Sequence, residues 1–339
     1  MSSQPPHNVD LVVLHGADLP PGRERFEDVP GVASVRYATA DALPDVLPGA
    51  QALFVWELFS EAVTAAWAKA DALRWIHAAT AGVDNLMFPG LVGSDVVVTN
   101  SRGVFDEPIA EYVLGTVLAF AKDLPTTLDL QRRRTWRHRE TERVGGRHVL
   151  VIGTGPIGRA IARRLAAVGM TVEGAGRTAR SDDPDFGTVV ATERPVAGSA
   201  AAGPFAAALG RADYVVLAAP LTPGTRGLAD AALFARMRPG ARLINVGRGQ
   251  LVVERDLVDA LRSGRLAGAG LDVFETEPLP ADSPLWELPG VIVSPHMSGD
   301  VVGWRDELVT LFADNLRRFV GGRELRNVVD KRRGYVSGP

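Results

Sequence analysis

The sequence predicts an α/β protein with two doubly wound domains, each built on a parallel sheet covered by helices. Short apolar runs rich in β-branched residues alternate with helical stretches along most of the chain, which is typical of parallel sheets. The 339 residues exceed what one hydrophobic core usually serves. With 46% hydrophobic and 23% charged residues, the composition is that of a folded globular protein.

Strand-like runs in the first hundred residues predict the first sheet, at residues 9–14, 32–37, 52–56, 75–79 and 96–99, with a helix over 60–70. Near the other end, an apolar stripe at helical spacing predicts a helix over 302–319: Leu308, Leu311, Phe312, Leu316 and Phe319. Such a stripe needs a partner, and we expect the first sheet to bury it. The first domain would then be discontinuous, formed by residues 1–101 and 300–339.

The second domain is predicted over residues 102–299. A helix signalled by Asp106-Glu107-Pro108 leads into it. Its strands are expected at 149–153, 171–175, 214–218, 242–246, 268–273 and 291–294. The segment from Ser181 to Gly203, rich in Ala, Gly, Pro and Asp, is interpreted as a loose surface excursion without an assigned role.

Charge and composition exclude several classes of function. A net charge of −3 disfavours a nucleic-acid or anionic-membrane partner, so the six arginines and Trp136 of segment 131–143 are interpreted as a solvated or interface surface. The absence of cysteine excludes disulfides and thiolate metal sites. No His/Asp/Glu spacing predicts a metal. A polar start without a signal peptide and strand-length apolar runs predict a cytoplasmic protein.

A glycine-rich loop predicts a dinucleotide site. Val149–Ile152 runs directly into Gly153, Gly155 and Gly158, and a helix follows through Pro156 and Ile157. In this context the first glycine permits a tight turn, the second a close approach to the pyrophosphate, and the third helix–strand packing. The helix N-terminus offers free N–H groups to the phosphates. The second domain is therefore expected to be a Rossmann NAD(P)-binding domain.

The end of the next strand indicates which cofactor is used. NAD enzymes place an acid there for the ribose 2′-hydroxyl, but Gly176 occupies this place, followed by Arg177 and Thr178. A guanidinium can bind a 2′-phosphate that a carboxylate would repel. Glu173 is the competing candidate, although it lies inside the strand. The sequence favours NADP(H) over NAD(H).

Three motifs past later strands offer groups for hydride transfer to a keto acid, which needs a cation for the carboxylate and a proton donor for the alkoxide. Arg248 follows one strand, Asp272 and nearby acids follow the next, and His296 follows the last. Ligands of open α/β sheets bind beyond the carboxyl ends of strands, so these groups are expected to converge.

The ordered set of motifs resembles the D-isomer-specific 2-hydroxyacid dehydrogenases, in particular the glyoxylate/hydroxypyruvate reductases. It comprises the glycine loop, Pro220-Leu221-Thr222-Pro223, Asn-x-x-Arg-Gly at 245–249, Asp-Val-Phe-Glu-x-Glu at 272–277 and Ser-Pro-His at 294–296. The resemblance implies that Arg248 binds the substrate carboxylate and carbonyl and that His296 is the acid/base. It also implies that Glu277 pairs with His296 and that Asp272 faces the nicotinamide carboxamide.

The same resemblance implies further contacts and a homodimer. Cofactor contacts are expected at Ala219, Pro220, Thr225, Val246 and Gly247. Substrate contacts are expected from the flavodoxin-like first domain at Ala81, Gly82 and Val83. Trp56 is expected either to cap the side-chain pocket or to be part of the core, and the sequence leaves both open.

These expectations describe an NADP(H)-preferring oxidoreductase that interconverts a small 2-keto acid, such as glyoxylate or hydroxypyruvate, and the D-2-hydroxy acid. The alternatives are an NAD-dependent 2-hydroxyacid or phosphoglycerate dehydrogenase and a dinucleotide-sensing corepressor. No motif specifies the substrate side chain.

Overall fold

A computed structural model describes residues 8–57, 61–193 and 203–336. The chain divides into two compact units, Met1–Phe105 with Val301–Pro339, and Asp106–Asp300. The sheets of both units are parallel apart from one edge strand and a small terminal ribbon. The predicted fold class, α/β with two doubly wound sheets, is confirmed.

The first unit contains a five-stranded parallel sheet in the order β2-β1-β3-β4-β5. Its strands are β1 (Val9–Leu14), β2 (Val32–Ala38), β3 (Ala52–Val55), β4 (Trp75–Ala78) and β5 (Val97–Asn100). The helices between these strands are short: α1 (Glu24–Glu27), α2 (Leu43–Val46), α3 (Ala62–Ala66) and α4 (Pro89–Val92). The helix predicted over 60–70 is wrong in extent, because α3 gives way to a 3₁₀ turn at Trp67–Lys69 and residue 60 lies outside the described ranges.

The second unit opens with a long amphipathic helix. Helix α5 (Asp106–Ala121) buries Ile109, Val113, Val117 and Phe120. It is followed by α6 (Leu124–Arg132), α7 (Pro156–Ala167), α8 (Pro204–Arg211), α9 (Ala231–Arg236) and α10 (Glu254–Arg262). Helices α5 and α7 pack against each other.

The sheet of the second unit has eight strands, in the order β13-β12-β11-β10-β6-β7-β9-β8. They are β6 (His148–Ile152), β7 (Thr171–Gly176), β8 (Arg180–Asp183), β9 (Gly187–Ala191), β10 (Tyr214–Leu217), β11 (Ala241–Asn245), β12 (Leu266–Leu271) and β13 (Val291–Val293). The strand order reverses between β6 and β10, and ligands of open sheets bind at the carboxyl ends beside such a switch point.

The prediction of a loose excursion from Ser181 to Gly203 is wrong for its first part. Strands β8 and β9 form an antiparallel hairpin, and β9 pairs with β7 in parallel. Gly187, with φ of +63°, supplies the left-handed turn, and Thr188-Val189-Val190 supplies the β-branched run. Phe186 is buried over β7 at Gly174, where an added Cβ would lie 2.9 Å from its ring. Residues 194–202 lie outside the described ranges.

The chain then returns to the first unit through α11 (Trp304–Val320), which ends before the ribbon of β14 (Val329–Asp330) and β15 (Tyr335–Val336). On α11, the buried Phe312 stacks on Phe54 of β3 with ring centroids 3.8 Å apart. The apolar stripe at the chain's end therefore packs on the first sheet. Within the described ranges no helix is both long and apolar enough to cross a membrane.

Candidate functional site

The glycine loop lies at the carboxyl end of β6. Gly153 has φ of +113°, and an added Cβ would lie 2.5 Å from the Ala218 carbonyl. At Gly158 it would lie 1.9 Å from the Gly153 oxygen. At Gly155 it would meet no atom within 4 Å, so the backbone there is open to a ligand. Helix α7 starts directly afterwards with Pro156 and Ile157. Open backbone at a helix N-terminus fits a pyrophosphate.

Strand β7 ends at Gly176, and no carboxylate stands at that position. An added Cβ at Gly176 would lie 3.0 Å from Oγ1 of Thr154 in the glycine loop. Any side chain there, including the acid of NAD enzymes, would crowd this loop. Arg177 and Thr178 follow and are exposed.

Glu173, the competing acid, is held elsewhere. Its carboxylate accepts a hydrogen bond of 2.7 Å from Nε of Arg211 on α8. The hydrogen bond that Arg211 donates to Glu173 raises the pKa of Arg211. Glu173 is therefore ion-paired within the unit, and it lies inside β7 and not at the strand end.

The loop after β10 is closed by Thr225. Its hydroxyl donates to the Pro220 carbonyl over 2.7 Å, and it accepts from the Thr222 N–H over 2.8 Å. Ala219 is buried and Pro220 is exposed. The loop therefore has a defined shape at the carboxyl end of a strand beside the switch point.

Arg248 follows β11 in a turn that is built by Asn245. The Asn245 amide accepts from the Gly247 N–H over 3.1 Å and donates to the Arg248 carbonyl over 2.9 Å. Val246 is buried, and an added Cβ at Gly247 would lie 2.8 Å from Leu251. The turn is therefore fixed by its own side chains, and Arg248 is half-buried on it.

Asp272 is fully buried beyond β12, and its carboxylate organises the loop after β13. Oδ1 accepts from the Ser294 hydroxyl over 2.6 Å and from the Met297 N–H over 2.9 Å. Oδ2 accepts from the Ser298 N–H over 3.0 Å. His296, between these donors, has the left-handed φ of +52°.

Glu277 contacts the imidazole of His296. The Glu277 Oε2 atom lies 2.8 Å from His296 Nδ1, and Oε1 accepts from the Phe274 N–H over 2.9 Å. Burial by itself raises the pKa of Glu277. The hydrogen bonds from His296 and Phe274, with the charges of His296 and Arg248, outweigh burial and lower this pKa. Nδ1 thus faces the carboxylate, and Nε2 is the nitrogen on the other side of the ring.

Glu275 has a different partner from Glu277. Its backbone N–H donates to the Glu254 carboxylate over 2.6 Å, and its own carboxylate accepts from the Glu254 N–H over 3.0 Å. These reciprocal bonds hold the first residue of α10. Glu275 is therefore part of a helix start and not a partner of the histidine.

The predicted substrate contacts of the first unit lie just past β3 and β4. Ala81, Gly82 and the buried Val83 form a loop after β4, and the Asn100 amide donates to the Ala81 carbonyl over 2.5 Å. Trp56 is 8% exposed, with its ring edge-on to Phe54. Core packing accounts for this environment, and contact of Trp56 with substrate stays a prediction.

Sequence reasoning missed an ionic cluster at the hairpin. Asp183 forms a bidentate pair with Arg159 of α7, with both distances 2.9 Å, and a 2.7 Å bond with Nε of Arg180. Asp185 lies 2.7 Å from Arg159. The sequence signal for this cluster is weak. Only the fold shows which residues pair, and four acids lie close to several arginines in the sequence: Asp182, Asp183, Asp185 and Glu193.

Sequence reasoning also missed Tyr112 of α5, whose hydroxyl lies 2.6 Å from the Ser294 hydroxyl. Tyr112 falls just beside the apolar stripe of α5, where periodicity predicts a boundary position with no partner. Among the described residues, no group of three His, Asp or Glu side chains is arranged to hold a metal ion.

Residues 114–298 match the profile of the family described as D-isomer specific 2-hydroxyacid dehydrogenase, NAD binding domain. A curated D-3-phosphoglycerate dehydrogenase from Mycobacterium bovis is 32% identical over 280 residues, or 80% of this chain. The match covers only 49% of the length of that relative.

Two solved structures match nearly the whole chain. One is a D-isomer specific 2-hydroxyacid dehydrogenase from Xanthobacter autotrophicus Py2 in complex with NADPH and MES. It is 33% identical with a TM-score of 0.79, covering 97% of this chain and 100% of that one. The other is an NADPH-dependent glyoxylate/hydroxypyruvate reductase from Sinorhizobium meliloti with NADP and sulfate. It is 31% identical with a TM-score of 0.78, and the coverage is again 97% and 100%. The chain therefore belongs to the D-isomer-specific 2-hydroxyacid dehydrogenases, the NAD(P)-dependent oxidoreductases that act on CH–OH groups.

Proposed function

We propose that this chain is an NADPH-preferring reductase of small 2-keto acids, such as glyoxylate or hydroxypyruvate, that yields the D-2-hydroxy acid. The observation that carries the cofactor choice is Gly176, which ends β7 without a carboxylate and precedes Arg177 and Thr178. A guanidinium is suited to bind the 2′-phosphate of NADPH bidentately. The ion pair of Glu173 with Arg211 removes the one competing acid of this strand.

The backbone open at Gly155 and the N-terminus of α7 fit the pyrophosphate of the dinucleotide. When bound, the reduced nicotinamide supplies the hydride to the carbonyl carbon. The loop closed by Thr225 and the turn at Val246 and Gly247 would line the same site. Asp272 would contribute indirectly, by holding the loop after β13 that carries His296.

The remaining chemistry falls to Arg248 and His296. Arg248 would bind the substrate carboxylate and polarise the carbonyl, which lowers the barrier to alkoxide formation. His296 would donate the proton on Nε2 to that oxygen, because Nδ1 is bonded to Glu277. The lowered pKa of Glu277 keeps its carboxylate ionised near neutral pH, where it would hold the imidazole in place through Nδ1. The backbone of residues 81–83 would bind the substrate carboxylate, as the resemblance implies.

The proposal is tested by oxidation of NADPH and NADH with a panel of 2-keto acids, in wild type and in Arg177→Ala. Loss of a charge-assisted bond is worth about 1.5–3 kcal/mol, so the KM for NADPH should rise by about tenfold to a hundredfold. The KM for NADH should stay near wild type. The matched control is Arg262→Ala, which removes an exposed arginine at the end of α10.

Other outcomes select the alternatives. A wild type that prefers NADH, or an equal change in both KM values, would overturn the 2′-phosphate assignment. NADH-linked activity confined to 3-phosphohydroxypyruvate would favour a phosphoglycerate dehydrogenase. Tight NADPH binding without turnover of any keto acid would favour a dinucleotide sensor.

We also propose that the chain forms a homodimer, as the family resemblance implies. Light scattering after size exclusion measures the mass directly, against 36.1 kDa for one chain. The cytoplasmic location stays a prediction.

A further inference from the structure

We propose that Tyr112 is a positioning residue for His296, acting through Ser294 and Asp272. The inference rests on the proposed function, in which His296 donates the proton. It assigns a role to helix α5, which contributes none of the predicted site residues, and it accounts for the hydroxyl of Ser294 ahead of the histidine.

The three side chains form one continuous line of hydrogen bonds. The Tyr112 hydroxyl lies 2.6 Å from Ser294 Oγ, and Ser294 Oγ donates to Asp272 Oδ1 over 2.6 Å. Because Ser294 has a single proton and gives it to the carboxylate, its oxygen must accept from Tyr112. Each member of the line therefore has a defined donor direction.

Tyr112 keeps the proton that this direction requires. Burial raises its pKa, and the nearby negative charge of Asp272 adds to the rise. The hydrogen bonds with Ser294 and Thr116 oppose it without reversing it. The phenol is therefore neutral and a donor throughout the neutral pH range.

The line ends on the backbone that carries the histidine. Asp272 accepts from the N–H groups of Met297 and Ser298, and its own carbonyl accepts from the His296 N–H over 2.8 Å. His296 is held by these bonds at a positive φ of +52°, a region that a β-carbon disfavours. A loop in that conformation depends on the contacts around it.

Helix α5, which carries Tyr112, anchors one end of this line of hydrogen bonds. It has 16 residues, buries its apolar face and packs along α7. The Tyr112 hydroxyl thus connects a packed helix to a short loop after β13. Loss of this connection should leave the loop in place but less precisely oriented, and small misplacements of a reacting group reduce turnover strongly.

The test removes single hydroxyls and separates kcat from KM. In Tyr112→Phe, the kcat for keto-acid reduction should fall by about tenfold or more, while the Kd for NADPH and the KM for the keto acid stay within about twofold. Ser294→Ala should reproduce this loss. Ser294→Thr, which keeps a hydroxyl, should restore most of the turnover. The double variant Tyr112→Phe/Ser294→Ala should be no worse than the more impaired single variant, because both break one line.

Tyr37→Phe is the matched control, since it removes a tyrosine hydroxyl that bonds to a carboxylate, Glu27, in the other unit. It should leave kcat unchanged. If Tyr112→Phe fails to fold, the contrast between Ser294→Ala and Ser294→Thr still tests the serine hydroxyl through which Tyr112 would act. Equal kcat in these two serine variants, or additive losses in the double variant, would overturn the proposal. A wild type without keto-acid reduction would instead overturn the proposed function.

Discussion

Asp183 and Asp272 are both buried carboxylates of the second unit, but only Asp183 has charged side-chain donors. Asp183, with a side chain 2% exposed, is bound by the guanidinium groups of Arg159 and Arg180 and also accepts from two backbone N–H groups of its own hairpin. Asp272 is 0% exposed and accepts from one hydroxyl and two backbone N–H groups, all neutral. The carboxylate of Asp183 is thus stabilised by positive charges, whereas that of Asp272 is stabilised by neutral donors of the loop after β13.

The difference teaches what each carboxylate does. Arg159 belongs to α7 and Arg180 to β8, so Asp183 links two regular elements at the edge of the sheet. The bonds from these arginines overcome burial and lower the pKa of Asp183 well below its usual range. Such a cluster contributes mainly to the stability of the edge. Asp272 links no regular elements, and its bonds converge on the residues around His296, so its contribution should appear in turnover.

The largest effect is expected for Asp272→Asn, which keeps the shape but exchanges one acceptor oxygen for an amino group. The amino group of Asn replaces either the oxygen that accepts from Ser298 or the one that accepts from Ser294 and Met297. In both cases two donors face each other, and the loop must shift. We expect kcat to fall by about 100-fold. Asp230→Asn is the control, because Asp230 caps α9 by accepting from the Leu233 N–H, as Asn also can. Near-normal kcat in Asp272→Asn would show that the loop is set by other contacts.

A smaller effect is expected for Glu277→Gln, a change at the carboxylate that contacts the imidazole. Because its pKa is lowered, Glu277 is ionised through the neutral range and makes a charge-assisted hydrogen bond with His296 Nδ1. The neutral amide of Glu277→Gln makes a weaker bond and orients the ring less well, so kcat for reduction at pH 7 should fall by about fivefold to tenfold. Glu275→Gln is the control on the same segment, and an equal loss in that variant would refute the pairing.

The sequence predicted most of the scaffold because local patterns determine it. Six strands of the larger sheet are apolar runs, and each lies within two residues of its predicted bounds. The order β2-β1-β3-β4-β5 is the flavodoxin-like order that the family resemblance implied for this unit. The hairpin of β8 and β9 was missed because Arg180-Ser-Asp-Asp has no strand pattern. Asp183 of this hairpin bonds to Arg159, which is 24 residues away in the sequence.

The same contrast holds for the candidate site. Arg248 and His296 each lie three residues past the end of a strand, and Glu277 lies six residues past the end of β12, so their motifs and positions could be predicted together. The contact between Tyr112 and Ser294 could not be predicted, because the two residues are 182 positions apart and only the folded unit brings them together. Glu275 and Glu277 are two residues apart, and sequence spacing alone does not assign one to a helix start and the other to the histidine.

The smallest effect on turnover, and the clearest effect on stability, is expected for Asp183→Asn. The neutral variant leaves Arg159 and Arg180 without their shared counter-charge, so the free energy of unfolding at pH 7 should fall by about 1–3 kcal/mol, with kcat nearly unchanged. The folded pKa of Asp183 lies below its unfolded value of about 3.9, so its stabilisation is complete above that value and is lost progressively as pH falls from there through the lower folded pKa. The difference in the free energy of unfolding between wild type and Asp183→Asn, measured by urea unfolding, should therefore stay constant from pH 7 to 5 and narrow towards pH 3.

The control is Asp306→Asn, which breaks the exposed pair with Arg25 and should change the free energy of unfolding by less than about 1 kcal/mol. A gap that stays constant to pH 3 would mean that Asp183 stabilises the hairpin through its shape and not its charge, and would remove the distinction from Asp272.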